Sequence, residues 1–302
     1  MTASRSIAGG LTLATLGAIA FSGKAIIVKL AYRHGVDAVT LIMLRMLFAL
    51  PFFLVMSWWA SRHTPQRKPA PLTRKDVLGI VWLGFSGYYL ASFLDFAGLQ
   101  YITASLERLI LYINPTLVLL LGLIFFGRKI GRRQAAGMAI SYGGVLLVFG
   151  HEVTLQGADV ALGAVLVFLS AVSYALYLFY SGEMVRRLGS MRLVGLATSV
   201  ACVLCIVQFV VLRPLDVALA VAPEVLWLSV LNATLCTVVP VMMVMMAIER
   251  IGSGLAAQVG MVGPMSTMIM GVVLLGEPFT AWLLAGTLLV IAGVFVCSRA
   301  RT

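Results

Sequence analysis

Apolar residues form long runs along this chain, and short polar segments separate the runs. Each run is close to the length of about 20 residues that a helix needs to cross a lipid bilayer. The runs cover residues 7–31, 39–60, 77–97, 102–126, 133–150, 160–181, 192–212, 225–248, 252–275 and 280–298. This pattern predicts an all-α membrane protein with ten transmembrane helices.

The composition also predicts membrane surroundings. Of the 302 residues, 61% are hydrophobic and 11% are charged, with a mean hydropathy of +1.05. Soluble domains carry about 25% charged residues, so the apolar excess is expected to face the lipid bilayer. The net charge of +11 would favour nucleic acid in a soluble protein. Here the charges gather at the ends of the apolar runs, so no nucleic acid partner is expected. No cofactor is expected either.

The polar segments between the runs are too short for a further domain. The longest, residues 61–75, leaves no room for a nucleotide-binding domain, and the chain contains no phosphate-binding loop motif. An ATP-driven pump within this chain is therefore excluded.

The positions of Lys and Arg predict the orientation. Of the 22, Lys24, Arg45 and Arg108 lie inside runs. If the N-terminus is cytoplasmic, three of the others (Lys29, Arg33 and Arg213) lie on the outer side of the membrane, and the remaining sixteen lie on the cytoplasmic side. Cytoplasmic loops of membrane proteins are enriched in these residues, so both termini are expected in the cytoplasm.

The sequence repeats itself with a shift of 149 residues. Proline or glycine recurs in five pairs: Pro115 and Pro264, Gly122 and Gly271, Gly127 and Gly276, Gly137 and Gly286, and Gly144 and Gly293. The predicted repeats, residues 1–150 and 157–300, contain five spans each. Because five is odd, the second repeat is expected to be inverted relative to the first, a design typical of secondary transporters.

Short motifs in both repeats resemble the drug/metabolite transporter superfamily, in its EamA-like branch of ten-helix exporters. They are Phe21-Ser22-Gly23 with Lys29, Arg45, Tyr101-Ile102-Thr103-Ala104-Ser105, Asn114-Pro115, Phe126-Gly127, Ile251-Gly252-Ser253-Gly254-Leu255-Ala256, Gly263-Pro264 and Leu275-Gly276-Glu277. The resemblance covers nearly the whole chain as two EamA-like units. It implies export of amino acids, other small metabolites or drugs without ATP. The compact loops favour a bacterial inner membrane.

Five ionisable residues fall inside predicted spans, all in the first repeat: Lys24, Arg45, Asp95, Glu107 and Arg108. Charge within a bilayer is costly and commonly marks a functional site. The five sum to +1, which leaves one positive charge for a substrate carboxylate, and protonation of Asp95 or Glu107 could couple export to inward proton flow. Two structural alternatives stay open: an ion-pair cluster that locks the helix ends, or a Lys24 side chain that reaches toward the membrane surface.

Prolines and polar stripes supply further candidates for a central site. Pro115, after Asn114, and Pro264, after Gly263, predict helix kinks at corresponding positions of the two repeats. Tyr174 and Tyr177 share one helical face with Ser170 and Ser181, and Tyr88 shares a face with Ser92 and Asp95. Gln258 is an isolated polar residue that fits either a substrate contact or a contact between helices. A packing role for the kinks and an interfacial role for the tyrosines remain the alternatives.

These features favour a secondary active exporter of small organic solutes that works by alternating access. A passive facilitator or channel is the alternative. An enzyme with catalytic residues or a metal site is not expected, because His34, His63 and His151 are predicted in loops, away from the buried carboxylates. A small-molecule substrate and a monomer or weak homo-oligomer complete these expectations.

Overall fold

The computed structural model describes residues 2–62, 72–127, 129–260 and 262–299, which form helices and turns without any strand. Ten helical segments follow one another in this described part. Their bounds are α1 Thr2–Tyr32, α2 Ala38–Arg62, α3 Arg74–Gly98, α4 Ala104–Tyr112 and Asn114–Phe126, α5 Arg132–Gln156, α6 Asp159–Leu188, α7 Ser190–Leu212, α8 Pro223–Ala233 continued by Thr234–Val238 and Val239–Val259, α9 Val262–Met270 continued by Gly271–Leu275, and α10 Ala281–Arg299. A short helix, Leu215–Leu219, connects α7 and α8.

Length and composition divide these helices into two groups. Within the described residues, the eight helices α1–α8 are each long and apolar enough to cross a membrane, and two shorter apolar segments follow at Val262–Leu275 and Ala281–Cys297. The prediction of an all-α membrane protein is confirmed. The predicted ninth and tenth spans fall on the two shorter segments.

Helices α5 and α10 pack against each other through glycines that the 149-residue shift relates. A Cβ on Gly137 would lie 2.7 Å from the carbonyl oxygen of Gly293, and a Cβ on Gly144 would lie 2.7 Å from that of Gly286. Residue numbers rise along α5 while they fall along α10, so the two helices are antiparallel. Gly137 thus faces the repeat counterpart of Gly144, and Gly144 faces the repeat counterpart of Gly137.

The remaining large helix contacts follow the same relation. Helix α1 packs on α8, which is the repeat counterpart of α3. Helix α3 in turn packs on α6, the counterpart of α1, so the two contacts are equivalent. Helix α2 packs on its own counterpart α7, where the Cys202 thiol lies 3.7 Å from the sulfur of Met46.

Among the described residues, α3, α8 and α9 contain π-helical turns, and those of α3 and α8 lie at related positions. In α3 the wide turn covers Gly84–Leu90. Shifting this range by 149 gives residues 233–239, which contain the π-helical turn Thr234–Val238 of α8. Such turns leave backbone carbonyls open to other partners and occur frequently at functional sites.

Helical geometry continues to Val259 across the predicted boundary between the eighth and ninth runs. The chain nevertheless reverses direction in this region. Ile251 contacts Gly10 near the start of α1, whereas the Gly263 carbonyl accepts a hydrogen bond from Ser22, about 18 Å further along that helix at 1.5 Å per residue. No polar loop is therefore needed for the reversal.

Candidate functional site

A cavity of about 310 Å³ lies at the centre of the helix bundle. Side chains from α1, α2, α3, α4, α6, α7 and α8 surround it, so both repeats contribute. We call this space the central cavity. It is lined by Phe21, Lys24, Arg45, Met46, Phe53, Gly87, Tyr88, Ala91, Ser92, Asp95, Arg108, Leu111, Tyr112, Asn114, Ser170, Tyr174, Val194, Thr198, Thr237, Pro240, Val241, Val244 and Met245. Its volume is at the lower end of the range for ligand pockets, which suits a small solute.

Lys24 holds two carboxylates at one side of the central cavity. Its ammonium lies 2.5 Å from Asp95 Oδ2 and 3.1 Å from Glu107 Oε1. All three side chains are buried, and Glu107 has no exposed surface. One cation from α1 therefore joins α3 to α4, and the three residues together carry a charge of −1 when all are ionised.

Arg45 enters the central cavity from α2 and contacts the π-helical turn of α8. Its Nε donates to Thr237 Oγ1 at 3.1 Å, and the Thr237 hydroxyl donates to the carbonyl of Asn232, five residues earlier. The guanidinium also lies over the Phe96 ring, 5.2 Å from its centroid. The buried Nη1 of Arg45 has no hydrogen-bond partner.

Arg108 reaches the central cavity from the second turn of α4. Its Nη2 donates to Ser22 Oγ at 3.3 Å, and its guanidinium lies 5.3 Å from the centroid of the Phe21 ring. The Nε of Arg108 is buried without a hydrogen-bond partner. The charged cluster, by which we mean Lys24, Asp95, Glu107, Arg45 and Arg108, thus includes two guanidinium groups with unsatisfied donors.

Helix α4 is interrupted beside the charged cluster. The first half ends at Tyr112, and the second begins at Asn114, with Pro115 in its first turn. Proline fits the first turn because the backbone N–H that it lacks would have no partner there. Asn114 faces the central cavity, and its buried Oδ1 has no partner. Pro264 lies correspondingly in the first turn of α9.

Aromatic side chains form a second wall of the central cavity. The Tyr88 and Tyr177 hydroxyls are 3.2 Å apart and their ring centroids 5.0 Å apart, while Tyr174 stacks on Tyr177 at 5.5 Å. Tyr88 and Tyr174 line the cavity, and Tyr177 supports them from behind. Gly87 allows this packing, because a Cβ there would overlap the Tyr177 ring.

The structure brings most of the predicted residues to one place. Seven of them line the central cavity: Lys24, Arg45, Tyr88, Asp95, Arg108, Asn114 and Tyr174. Glu107 and Tyr177 lie directly behind this lining and contact it. Pro115 is exposed and Pro264 is buried, and neither lines the cavity. Gln258 belongs to α8, but its side chain lies outside the described part of the chain.

Sequence reasoning missed Thr237, although the repeat contains a signal for it. Shifting Tyr88 by 149 residues gives Thr237, and shifting Ala91 gives Pro240, so equivalent positions of α3 and α8 line the same cavity. No signal in the sequence indicates that Arg45 binds Thr237, because these residues are 192 positions apart.

A second polar cluster lies at the end of the bundle where α1 ends. The Glu277 carboxylate accepts hydrogen bonds from the Ala104 N–H at 2.7 Å and from the Ser105 hydroxyl at 2.7 Å. We call this contact the α4 cap, because it covers the positive N-terminal end of α4. Beside it, the Thr103 hydroxyl donates to Glu152. The ammonium of Lys29 donates to the Ile102 carbonyl at 3.0 Å.

The predicted loop position of the histidines is wrong for His151. This residue lies in α5, against the Trp282 ring, because α5 continues past its apolar run to Gln156. His34 lies in a turn, and His63 is outside the described residues. Among residues 2–62, 72–127, 129–260 and 262–299, no group of three His, Cys, Asp or Glu side chains is placed to hold a metal ion.

Comparison with known proteins gives similarity over nearly the whole chain. The model of the EamA-like transporter family matches residues 8–150 and again residues 161–299. The uncharacterized transporter YcbK of Bacillus subtilis is 30% identical over 288 residues, which cover 90% of this chain and 87% of that protein. The uncharacterized transporter YyaM of the same organism is 26% identical over 229 residues, 74% of each chain. A solved crystal structure shares the fold, with a TM-score of 0.66 at 15% identity over 97% of both chains.

Proposed function

This chain belongs to the EamA-like transporter family, and we propose that it is a secondary active transporter that exports small organic solutes by alternating access. As a family member it is a multi-pass membrane transporter and not an enzyme. The proposed substrates are amino acids or related amphipathic solutes and drugs, and the proposed location is a bacterial inner membrane.

The proposed topology has ten spans in two inverted repeats, residues 1–150 and 157–300, with both termini in the cytoplasm. Two observations support it. The antiparallel packing of Gly137 on Gly293 and of Gly144 on Gly286 fits a two-fold axis in the membrane plane. The excess of Lys and Arg in alternate loops fits cytoplasmic termini.

The observation that carries the proposal is the charged cluster beside the central cavity. Ionised groups inside a bilayer cost several kcal/mol unless they are paired or wetted. The cluster retains three cations and two carboxylates, and two of its cations have unsatisfied donors. A cavity that binds and releases a polar solute gives such groups a use that a purely structural helix contact does not.

The two-fold pairing of the helices supports alternating access. Because α1 with α8 and α6 with α3 form equivalent contacts, the bundle can in principle exchange the roles of its two repeats. In the proposed cycle the central cavity opens to one side of the membrane and then to the other. The interruption of α4 at Ile113 and the turn at Gly260, before α9, provide places where the helices can bend.

Proton coupling belongs to the same proposal. Lys24 binds both Asp95 and Glu107, so a proton taken up by either carboxylate would leave Lys24 with one ionised partner. Such a step would change the charge of the cavity by one and link solute release to proton entry. Glu107→Gln should then remove the pH dependence of transport, and unchanged pH dependence would contradict the coupling.

Counterflow in proteoliposomes tests the function. Liposomes containing the purified protein are loaded with a pool of unlabelled amino acids, and uptake of labelled neutral, aromatic and sulfur-containing ones is followed. A carrier gives saturable uptake that the internal pool accelerates. A channel gives uptake that the internal pool does not accelerate, and that result would overturn the alternating-access mechanism.

A further inference from the structure

The charges around the central cavity do not cancel. Lys24 is paired with two carboxylates, whereas Arg45 and Arg108 form no ion pair among the described residues. We propose that the cavity selects organic monoanions, in which a single carboxylate is attached to an apolar or aromatic group, over zwitterions and cations of the same shape. This proposal rests on the transporter function proposed above and narrows the substrates proposed there, because it favours amphipathic monoanions over zwitterionic amino acids.

The unsatisfied donors indicate where the carboxylate binds. Arg45 is more than nine-tenths buried, with 5% of its surface exposed, and its Nη1 has no partner although the residue lines the cavity. The Nε of Arg108, which also lines the cavity, is likewise buried without a hydrogen-bond partner. A buried charged donor without a partner is costly, and a carboxylate accepts two N–H donors from guanidinium groups in a strong, charge-assisted contact. A carboxylate therefore supplies the acceptor that these two guanidinium donors lack.

Charge balance explains the preference for a monoanion. The charged cluster carries +1 when all five residues are ionised, so one negative charge makes the occupied cavity neutral. A zwitterion would leave the surplus positive charge within the bilayer, and a cation would double it. A dianionic phosphate ester would exceed the surplus. In a medium of low polarity these differences are large.

The remaining walls suit an apolar body. Phe21, Phe53, Leu111 and the rings of Tyr88 and Tyr174 lie around the rest of the cavity. Aromatic rings bind flat apolar groups by stacking and edge contacts. The volume of about 310 Å³ suits a solute with one ring.

Three probes with one phenyl ring and a similar chain separate the charge states. They are 3-phenylpropanoate as the anion, phenylalanine as the zwitterion and 2-phenylethylamine as the cation. Binding to the detergent-purified full-length protein is measured by titration calorimetry. We expect 3-phenylpropanoate to bind at least about tenfold more tightly than the other two. 2-Phenylethylamine lacks the carboxylate contact, and phenylalanine leaves the surplus positive charge of the cavity uncompensated.

Arginine variants test the assignment of the donors. Arg45→Gln should weaken 3-phenylpropanoate binding by about tenfold or more, and Arg108→Gln should weaken it in the same direction. The matched control is Arg62→Gln, because Arg62 is exposed at the end of α2 over the Trp58 ring. Thermal unfolding establishes that each variant is folded. If Arg45→Gln does not fold, Arg45→Lys keeps the charge without the Nη1 donor and should bind the anion with intermediate affinity.

The outcomes separate this proposal from the proposed function. Equal or tighter binding of phenylalanine or 2-phenylethylamine, absence of binding by all three probes, or unchanged anion binding in both arginine variants would overturn the anion selectivity. Counterflow with the same probes is the second readout. If 3-phenylpropanoate binds selectively but none of the probes exchanges, the transport mechanism fails and the selectivity stands. If phenylalanine exchanges and 3-phenylpropanoate does not, transport stands and the selectivity fails.

Discussion

The ammonium of Lys24 lies 2.5 Å from the carboxylate of Asp95, and the contact joins α1 to α3 within the membrane-spanning part of the protein. The same ammonium contacts Glu107 of α4 at 3.1 Å. Three helices of the first repeat are thus connected through one positive charge. Because that charge has two carboxylate partners, its removal affects both of them.

Lys24→Met should destabilise the protein strongly. It leaves Asp95 and Glu107 buried without their cation, and breaking a buried pair in this way costs about 3–5 kcal/mol. Asp95→Asn should cost less, because Lys24 keeps Glu107. Thermal unfolding in detergent measures both variants. The double variant Lys24→Met with Asp95→Asn is expected to be more stable than Lys24→Met alone, and a double variant that is less stable would contradict the pairing.

The glycine contact between α5 and α10 should tolerate no side chain. Gly137→Ala and Gly144→Ala each place a Cβ within 2.7 Å of a facing backbone carbonyl, so each should lower the free energy of unfolding by about 1–3 kcal/mol. Gly143→Ala and Gly150→Ala are matched controls on α5, because nothing lies within 4 Å of a Cβ at either position. Melting temperatures of the four variants test this contact. Equal losses at Gly143 and Gly144 would contradict the packing.

The α4 cap should protect the start of α4. Glu277→Gln removes the charge that accepts bonds from the Ala104 N–H and the Ser105 hydroxyl, at an expected cost of about 1–3 kcal/mol. Hydrogen–deuterium exchange of peptides that contain residues 103–107 should therefore be faster in this variant. Glu224→Gln, on an exposed residue in the first turn of α8, is the matched control. Unchanged exchange in Glu277→Gln would mean that the carboxylate does not hold this helix end.

The pair formed by Asp37 and Arg213 should give a small pH-dependent stabilisation outside the spans. Burial alone would raise the pKa of Asp37, but hydrogen bonds from the Thr40 N–H and from Arg213 outweigh it, so the pKa lies below its usual value of 3.8. The stabilisation is thus fully present above the usual pKa and is lost as the pH falls through the lowered one. The Arg213 side chain is 40% exposed, so we expect at most about 1 kcal/mol.

Asp37→Asn measures this contribution. The variant should melt slightly below the wild type at pH 7, and the difference should shrink as the pH falls below 3.8 and through the lowered pKa of Asp37. Asp216→Asn, on the exposed helix Leu215–Leu219, is the control without such a pair. A difference between Asp37→Asn and the wild type that grows on acidification would contradict a lowered pKa of Asp37.

Much of the central cavity could be predicted from the sequence, because a bilayer imposes strict rules on charge. Lys24, Asp95 and Glu107 stand out in apolar runs, and their mutual attraction brings them together. The repeat also relates Tyr88 to Thr237, and both residues line the cavity. The sequence left open whether the charges form ion pairs or bind substrate. The structure divides them, with Lys24 in ion pairs and Arg45 and Arg108 outside them.

Other features depend on contacts that no local pattern encodes. Glu277 caps a helix that begins 173 residues earlier, and its place in the Leu275-Gly276-Glu277 motif does not indicate this contact. The sequence placed the boundary between the eighth and ninth runs at residues 248–252, where the chain reverses, but did not indicate that helical geometry continues through it. Packing against α1, rather than a polar loop, determines where the chain reverses.

Counterflow by three proteins reconstituted in parallel tests most directly whether the central cavity carries the solute. The proteins are the wild type, Arg45→Gln and the control Arg62→Gln, each in liposomes loaded with unlabelled 3-phenylpropanoate. We predict saturable, accelerated exchange for the wild type and for Arg62→Gln, and loss of this exchange for folded Arg45→Gln. Equal exchange by Arg45→Gln, or uptake by the wild type that internal solute does not accelerate, would contradict transport by alternating access through this cavity.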